Sequence, residues 1–250
     1  MKMTDKTDTS RLDGILFDLD GTLLNIQMQP YIDGYIDGLS RCFEDLVDRM
    51  VFAEVLVSSA YAMLSVEDEH QTNEQFFLEL VARQLGIATP ELRRRLEHFC
   101  RNGLHVLEPL IEPFPETNEI LQHCFQQGMK VALATNPVFP LQVIEARLRW
   151  AGIDRFPFHL VASYESCRFC KPHPRFFADI LEDLGLTPEK TLMVGNDTHY
   201  DLAAGQLGIL TYLVDTCLID QEQRAKEADF RGGHRDLLHF IRQLKGPGGD

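Results

Sequence analysis

The chain has 250 residues, 44% of them hydrophobic and 25% charged, and a formal net charge of −14. That length suffices for one large domain, or a core plus a smaller insert. The acidic balance argues against a nucleic-acid or anionic-membrane surface, both of which reward a basic face, and any anionic substrate must meet a local cation. Residues 1–11 read as a loose polar lead-in. No apolar run precedes position 14, so no signal peptide is expected. No stretch approaches the ~20 apolar residues of a membrane span, and a cytoplasmic location is expected. The six cysteines are then expected to stay reduced, with Cys42, Cys100 and Cys124 acting as small hydrophobes on helical segments.

The first element is the apolar run at 14–18, read as a strand, with Gly21 in the turn after it. Residues 31–102 recur apolar at helical spacing and predict four helices and no strand. Asn73 and Thr89 are the expected N-caps, with Pro90 at a first helical position and Gly103 near a helix end. From residue 117 the pattern alternates. A helix over 117–127 precedes a strand over 130–136. The stretch "PLQVIEARLRWAG" is a helix and "FHLVAS" a strand. Then come helix "PRFFADILEDLG", strand 190–197, a helix starting in "YDLAAGQLG" and strand "ILTYLV". The run "DLLHFIRQLK" is a closing helix, and "GPGGD" a disordered tail. Strand–helix alternation of this kind predicts an α/β fold with a parallel sheet covered on both faces. The helical block interrupts it just after the first strand.

Ligand sites in open α/β sheets lie beyond the carboxyl ends of the strands. There the chain places Asp18-Leu19-Asp20-Gly21-Thr22, Thr135-Asn136, Lys171-Pro172 and Gly195-Asn196-Asp197, with Asp201 four residues on. Four carboxylates, one cation and one hydroxyl would share one edge of the sheet. Two unit charges ~4 Å apart repel by roughly 4 kcal/mol at an effective dielectric near 20. Lys171 offsets part of this, and a divalent cation is the natural remainder. All-oxygen ligands favour Mg²⁺, which shares its shell with waters and phosphate. Alternate residues of an extended segment point the same way, so Asp18 and Asp20 can both face a reacting group. One carboxylate can attack phosphorus. The other can protonate the leaving oxygen and then deprotonate water.

In this order, "DLDGT", Thr135, Lys171-Pro172 and "GNDTHYD" resemble the four motifs of the haloacid dehalogenase-like hydrolase superfamily, over roughly the whole chain. The resemblance implies a doubly wound, Rossmann-like core over 12–25 and 111–245 and a helical cap over 26–110. It implies Asp18 as nucleophile and Asp20 as general acid/base. Mg²⁺ would be held by the Asp18 carboxylate, the Asp20 backbone carbonyl and Asp197. Thr135 and the Asn136 amide would bind the phosphoryl group, Lys171 would neutralise charge, and Asp201 would position a metal water or Lys171. The first position after Gly195 is Asn196, which can share the role of Asp197. Dehalogenases of the superfamily lack the second acid, so Asp20 favours phosphate over carbon–halogen chemistry.

The implied activity is a Mg²⁺-dependent phosphohydrolase acting on a small phosphorylated metabolite, with neither nucleic acid nor membrane as partner. A phosphotransferase such as a sugar-phosphate mutase would use the same core, and a non-catalytic regulatory binding protein is a rival of another class. Cap residues, rather than motifs, are expected to set specificity. Cys167, Cys170 and His173 in "CRFCKPH" have spacing compatible with zinc. No second Cys or His pair accompanies them, so packing is the expected role. Tyr31, Tyr35 and Tyr61 are read as helix packing, and Arg93, Arg94 and Arg95 as a solvated face.

Overall fold

The structure, a computed structural model, describes residues 11–66, 68–221 and 223–247. Most of the sequence-predicted lead-in and the last three residues of the tail lie outside them. Eight strands and eight helices are distinguished here: β1 (Gly14–Phe17), β2 (Leu24–Ile26), α1 (Met28–Arg41), α2 (Arg49–Met63), α3 (Asn73–Leu85), α4 (Thr89–Asn102) and β3 (Ile111–Pro113) form the first half. The second half is α5 (Thr117–Gln126), β4 (Lys130–Leu133), α6 (Leu141–Trp150), β5 (Leu160–Val161), α7 (Pro174–Leu184), β6 (Thr191–Gly195), β7 (Leu210–Val214), β8 (Phe230–Gly232) and α8 (His234–Gln243). Short 3₁₀ turns run over Leu104–Leu110 and Leu202–Leu207.

The main sheet has the order β5-β4-β1-β6-β7-β8, and every pairing in it is parallel. β1 lies at its centre, with Phe17 level with Leu133 of β4 and Val194 of β6. Alternation sends Ile15, Phe17, Val131, Leu133, Leu192 and Val194 into one core with α5, α6 and α8. Leu16, Ala132 and Met193 face the other way, against α7 and the 202–207 turn. Burial on both faces explains why these strands read as continuous apolar runs. The fold is therefore α/β and doubly wound. Because β4 and β6 flank β1 on opposite sides, the crevice where ligands bind such sheets opens at the carboxyl end of β1.

The helical block leaves and re-enters through the antiparallel ribbon β2–β3, in which Ile26 pairs with Ile111. Sequence periodicity does not show this ribbon, since three-residue strands are too short to carry a period. The same holds for β8 and for β5, which keeps only Leu160–Val161 of the predicted strand. Two predicted caps move by one residue. Thr72, not Asn73, caps α3, in a capping box with Gln75. Asn73 is instead buried, donating to Pro137 C=O at 3.2 Å and to Cys170 Sγ at 3.3 Å. Ala88 precedes α4, and Pro90 sits in its first turn. The predicted helix at "YDLAAGQLG" is the 3₁₀ turn. Among the described residues, no helix is long and apolar enough to cross a membrane.

Candidate active site

Hydrogen bonds between the central strands continue past their ends. Ala134 N–H donates to Phe17 C=O at 2.7 Å, and Asp18 N–H donates to Val194 C=O at 2.9 Å. Asp18, Thr135 and Asn196 thus emerge together at one edge, all three buried. Lys171 arrives from the loop before α7, where its N–H donates to Asn136 Oδ1 at 3.2 Å. Its ammonium donates to Asp18 Oδ1 at 2.8 Å and Asp201 Oδ1 at 2.7 Å. Lys171 and Asp201 are each 2% exposed and Asp18 8%. A buried ammonium is costly unless paired, and here two carboxylates enclose it. Burial works against the charge of Lys171, yet Asp18 and Asp201 hold its pKa above the ordinary value. Burial pushes the Asp201 carboxyl up, against the pull of Lys171.

Asp201 does two further things. Its Oδ2 accepts from Asp197 N–H at 2.9 Å, so it braces the loop that follows β6. Gly195 lies beneath it, where a β-carbon would overlap the carboxylate. Asp197 turns its Oδ1 to the N–H groups of His199 (2.7 Å) and Tyr200 (2.9 Å), closing the local turn. Asn196 points the other way. Its Nδ2 donates to Cys217 C=O at 2.7 Å. The Thr22 hydroxyl stands 3.4 Å from both Asn196 Oδ1 and Asp18 Oδ2. Gly21, at φ 85°, has no β-carbon to collide with the Asn196 amide, so a glycine is required there on two counts.

Three residues take places at the site that the sequence reading did not assign to them. Arg147, on α6, is 1% exposed and donates from Nη1 to Asp20 Oδ2 at 2.8 Å and from Nε to Tyr31 OH at 3.1 Å. Its guanidinium lies 4.1 Å from the Phe139 ring centre and 4.5 Å from that of Tyr31. Asp20 Oδ1 and Arg147 Nη2 are both buried without a protein partner. Burial raises the pKa of Asp20 while Arg147 opposes the rise. Tyr31, read as helix packing, is thus also a polar anchor. His234 is the third residue: its Nε2 lies 2.8 Å from Thr22 C=O and its Nδ1 2.9 Å from the Thr216 hydroxyl. A carbonyl only accepts, so Nε2 carries the proton and Nδ1 accepts. A signal for Arg147 was present in the sequence. It falls four residues after Val143, on the apolar stripe of α6, where an unpaired cation has no place.

The donor set tests the fit of a metal. The carboxylates of Asp18, Asp20, Asp197 and Asp201 outnumber the cations Lys171 and Arg147, and an orphaned buried oxygen remains on Asp20. Among the described residues, no three His, Cys, Asp or Glu side chains are gathered to hold a metal by themselves. An ion here would complete its shell with backbone and amide oxygens, water and substrate. That suits Mg²⁺, which binds through one or two carboxylates plus phosphate.

Cys167, Cys170 and His173 do not form such a centre. Cys170 accepts from Asn73, and His173 caps α7 by accepting from Arg175 N–H at 3.1 Å while stacking on Phe169. Burial pushes the Cys167 thiol up to about 11 and Cys170 up to about 12. All six cysteines are free.

The profile of the haloacid dehalogenase-like hydrolases matches residues 12–208. The chain belongs to this family. It is 27% identical over 196 residues to the pyrophosphatase PpaX of Bacillus cereus (strain AH820), covering 78% of this chain and 79% of that protein. Among solved structures, a HAD phosphatase from Thermococcus onnurineus superposes with a TM-score of 0.59 at 21% identity, over 94% of this chain and all of that one. The L-2-haloacid dehalogenase of Xanthobacter autotrophicus, with chloropropionic acid covalently bound, gives 0.55 at 19% identity, over 92% and 98%. These two likenesses show the hydrolase fold, which serves both kinds of chemistry.

Proposed function

We propose that this hydrolase is a Mg²⁺-dependent phosphatase that cleaves phosphate esters through an aspartyl-phosphate on Asp18. The observation that carries the reading is the buried Asp18–Lys171–Asp201 bridge, built from three separate chain segments, with a second acid, Asp20, held two residues from the first. One oxygen of Asp18 is held by Lys171, and the other attacks phosphorus as the bond to the leaving oxygen breaks. Asp20 gives that oxygen its proton, then takes one from the water that attacks the acyl phosphate and restores Asp18. Burial favours the protonated form that the first step needs. The Thr135 hydroxyl and Asn136 N–H donate to the phosphoryl oxygens, and Lys171 neutralises their charge.

The Asp18 carboxylate, the Asp20 backbone carbonyl and the Asn196–Asp197 loop would hold Mg²⁺, with Asp201 bracing that loop and Lys171. The ion would supply charge stabilisation at the phosphoryl oxygens. Residues 12–25 and 111–245 form the catalytic core in this reading. Residues 26–110 form a cap that excludes water and contacts the leaving group. The pyrophosphatase relative supports phosphorus rather than carbon–halogen chemistry, as does the second acid.

Inorganic phosphate released from a set of phosphate monoesters tests the reading. Release is expected with Mg²⁺, is expected to stop on chelation, and is expected to be undetectable for Asp18→Asn with an unchanged circular dichroism spectrum. Turnover by that variant would remove Asp18 as nucleophile.

A further inference from the structure

A cavity of about 310 Å³ lies between α1–α4 and the loop after β4. A single deleted core side chain leaves only about 150 Å³, so this is no packing defect. Its walls include Tyr35, Leu56, Ala60 and Phe77 from the helices, and Asn136 and Phe139 from the loop. Two of these residues tie it to the site. Asn136 accepts from the N–H of Lys171, whose ammonium holds Asp18. Phe139 lies under the guanidinium that holds Asp20. The cavity is therefore joined through Asn136 and Phe139 to Lys171 and Arg147, the partners of the two carboxylates, and offers room for the non-reacting part of an ester.

None of the described residues lining it is charged. A second phosphate placed there would be desolvated without a cation, and a polyhydroxylated sugar would leave most of its hydroxyls unpaired. An alkyl or aryl group would meet mostly apolar walls, interrupted by Asn136 and the hydroxyl-bearing rings of Tyr35, Tyr61 and Tyr164. We propose, resting on the phosphatase reading above, that the cavity receives the leaving group and that the preferred substrates are monophosphates of apolar alcohols rather than pyrophosphate or sugar phosphates.

The test is a homologous series of n-alkyl phosphates from ethyl to hexyl, whose leaving alcohols differ little in acidity. Turnover is measured with Mg²⁺, and binding of the matching n-alkyl phosphonates is measured by calorimetry. The expected result is a rise in kcat/KM and a fall in phosphonate Kd of up to about fourfold per added methylene, with pyrophosphate and glycerol phosphate poorer than the hexyl ester. Ala60→Phe, which fills the cavity, is expected to flatten both series. Esters hydrolysed at rates indifferent to chain length, with flat phosphonate affinity, overturn the apolar pocket and leave the phosphatase standing. Release of phosphate from no ester overturns the phosphatase, and this assignment with it, whatever the phosphonates do.

Discussion

At the scale of single residues, the site depends on close approaches that tolerate no added atom. Gly195→Ala would drive a β-carbon into the Asp201 carboxylate and loosen Lys171, which Asp201 helps to hold. Strain of this kind costs about 1–3 kcal/mol, so a lowered urea midpoint is expected together with reduced turnover. Arg147→Ala would strip Asp20 of its counterion inside a buried pocket. Breaking a buried pair from one side typically costs about 3–5 kcal/mol, and the variant's chemical denaturation is the measurement. The two residues after Gly195 are also separable. Asn196 reaches toward Asp18 through Thr22, whereas one oxygen of Asp197 already serves two backbone N–H groups. Asn196→Ala is therefore expected to weaken Mg²⁺ binding, followed by titration calorimetry, more than Asp197→Ala does. The motif residues were legible because their types and order suffice to mark them. The bias between Asn196 and Asp197 was not, since it depends on where each side chain points after the strand ends.

At the scale of elements, capping and tethering hold the helices in register with the sheet. The Thr72–Gln75 box closes the start of α3 from both directions. Thr72→Ala is expected to cost about 1 kcal/mol, read as a shifted urea midpoint. Asn73, the expected cap, was displaced from that role because its amide is engaged by the loop after β4 and by Cys170. Local propensity allowed either residue, and a tertiary contact chose. Arg95 joins the α1–α2 connection through Asp45 and Cys42 C=O, so part of the expected solvated arginine face is a tether. At the start of α8, His234 anchors the Thr22 carbonyl and thereby the turn that carries Asp20. Burial lowers its pKa below the ordinary histidine value of about 6.5. The folded chain therefore binds fewer protons than the unfolded chain below that pH. His234 contributes stability that is present above about pH 6.5 and lost as pH falls through the lowered value. Stability measured from pH 7.5 downward is expected to fall less steeply in His234→Gln than in the parent. The difference in slope is on the order of 1 kcal/mol per pH unit at most.

At the scale of the whole molecule, the helical block and the sheet share one apolar core. Phe43, Phe52, Leu96 and Phe99 of the block lie in the same buried cluster as Ile15, Phe17 and Val131 of the sheet. A shared core makes unfolding of one part costly to the other. The single tryptophan, Trp150, ends α6, outside the helical block, while much of the helix content lies in α1–α4. Urea unfolding followed by Trp150 fluorescence and by helical circular dichroism is expected to give coincident transitions. An earlier loss of helix signal would show the block unfolding on its own.

The sequence by itself determined the α/β class, the helical insertion after the first strand and the set of acids and Lys171 at the strand ends. These follow from short-range facts: hydrophobic period, turn residues and the chain order of motifs. Only the tertiary structure decided that Arg147 is the partner of Asp20, that His234 steadies the Thr22 carbonyl, and that Tyr35 of α1 and Phe139 of the loop after β4 wall one uncharged cavity. Each of these joins segments over a hundred residues apart, and no local pattern encodes which distant side chain fills a given gap in a packed core.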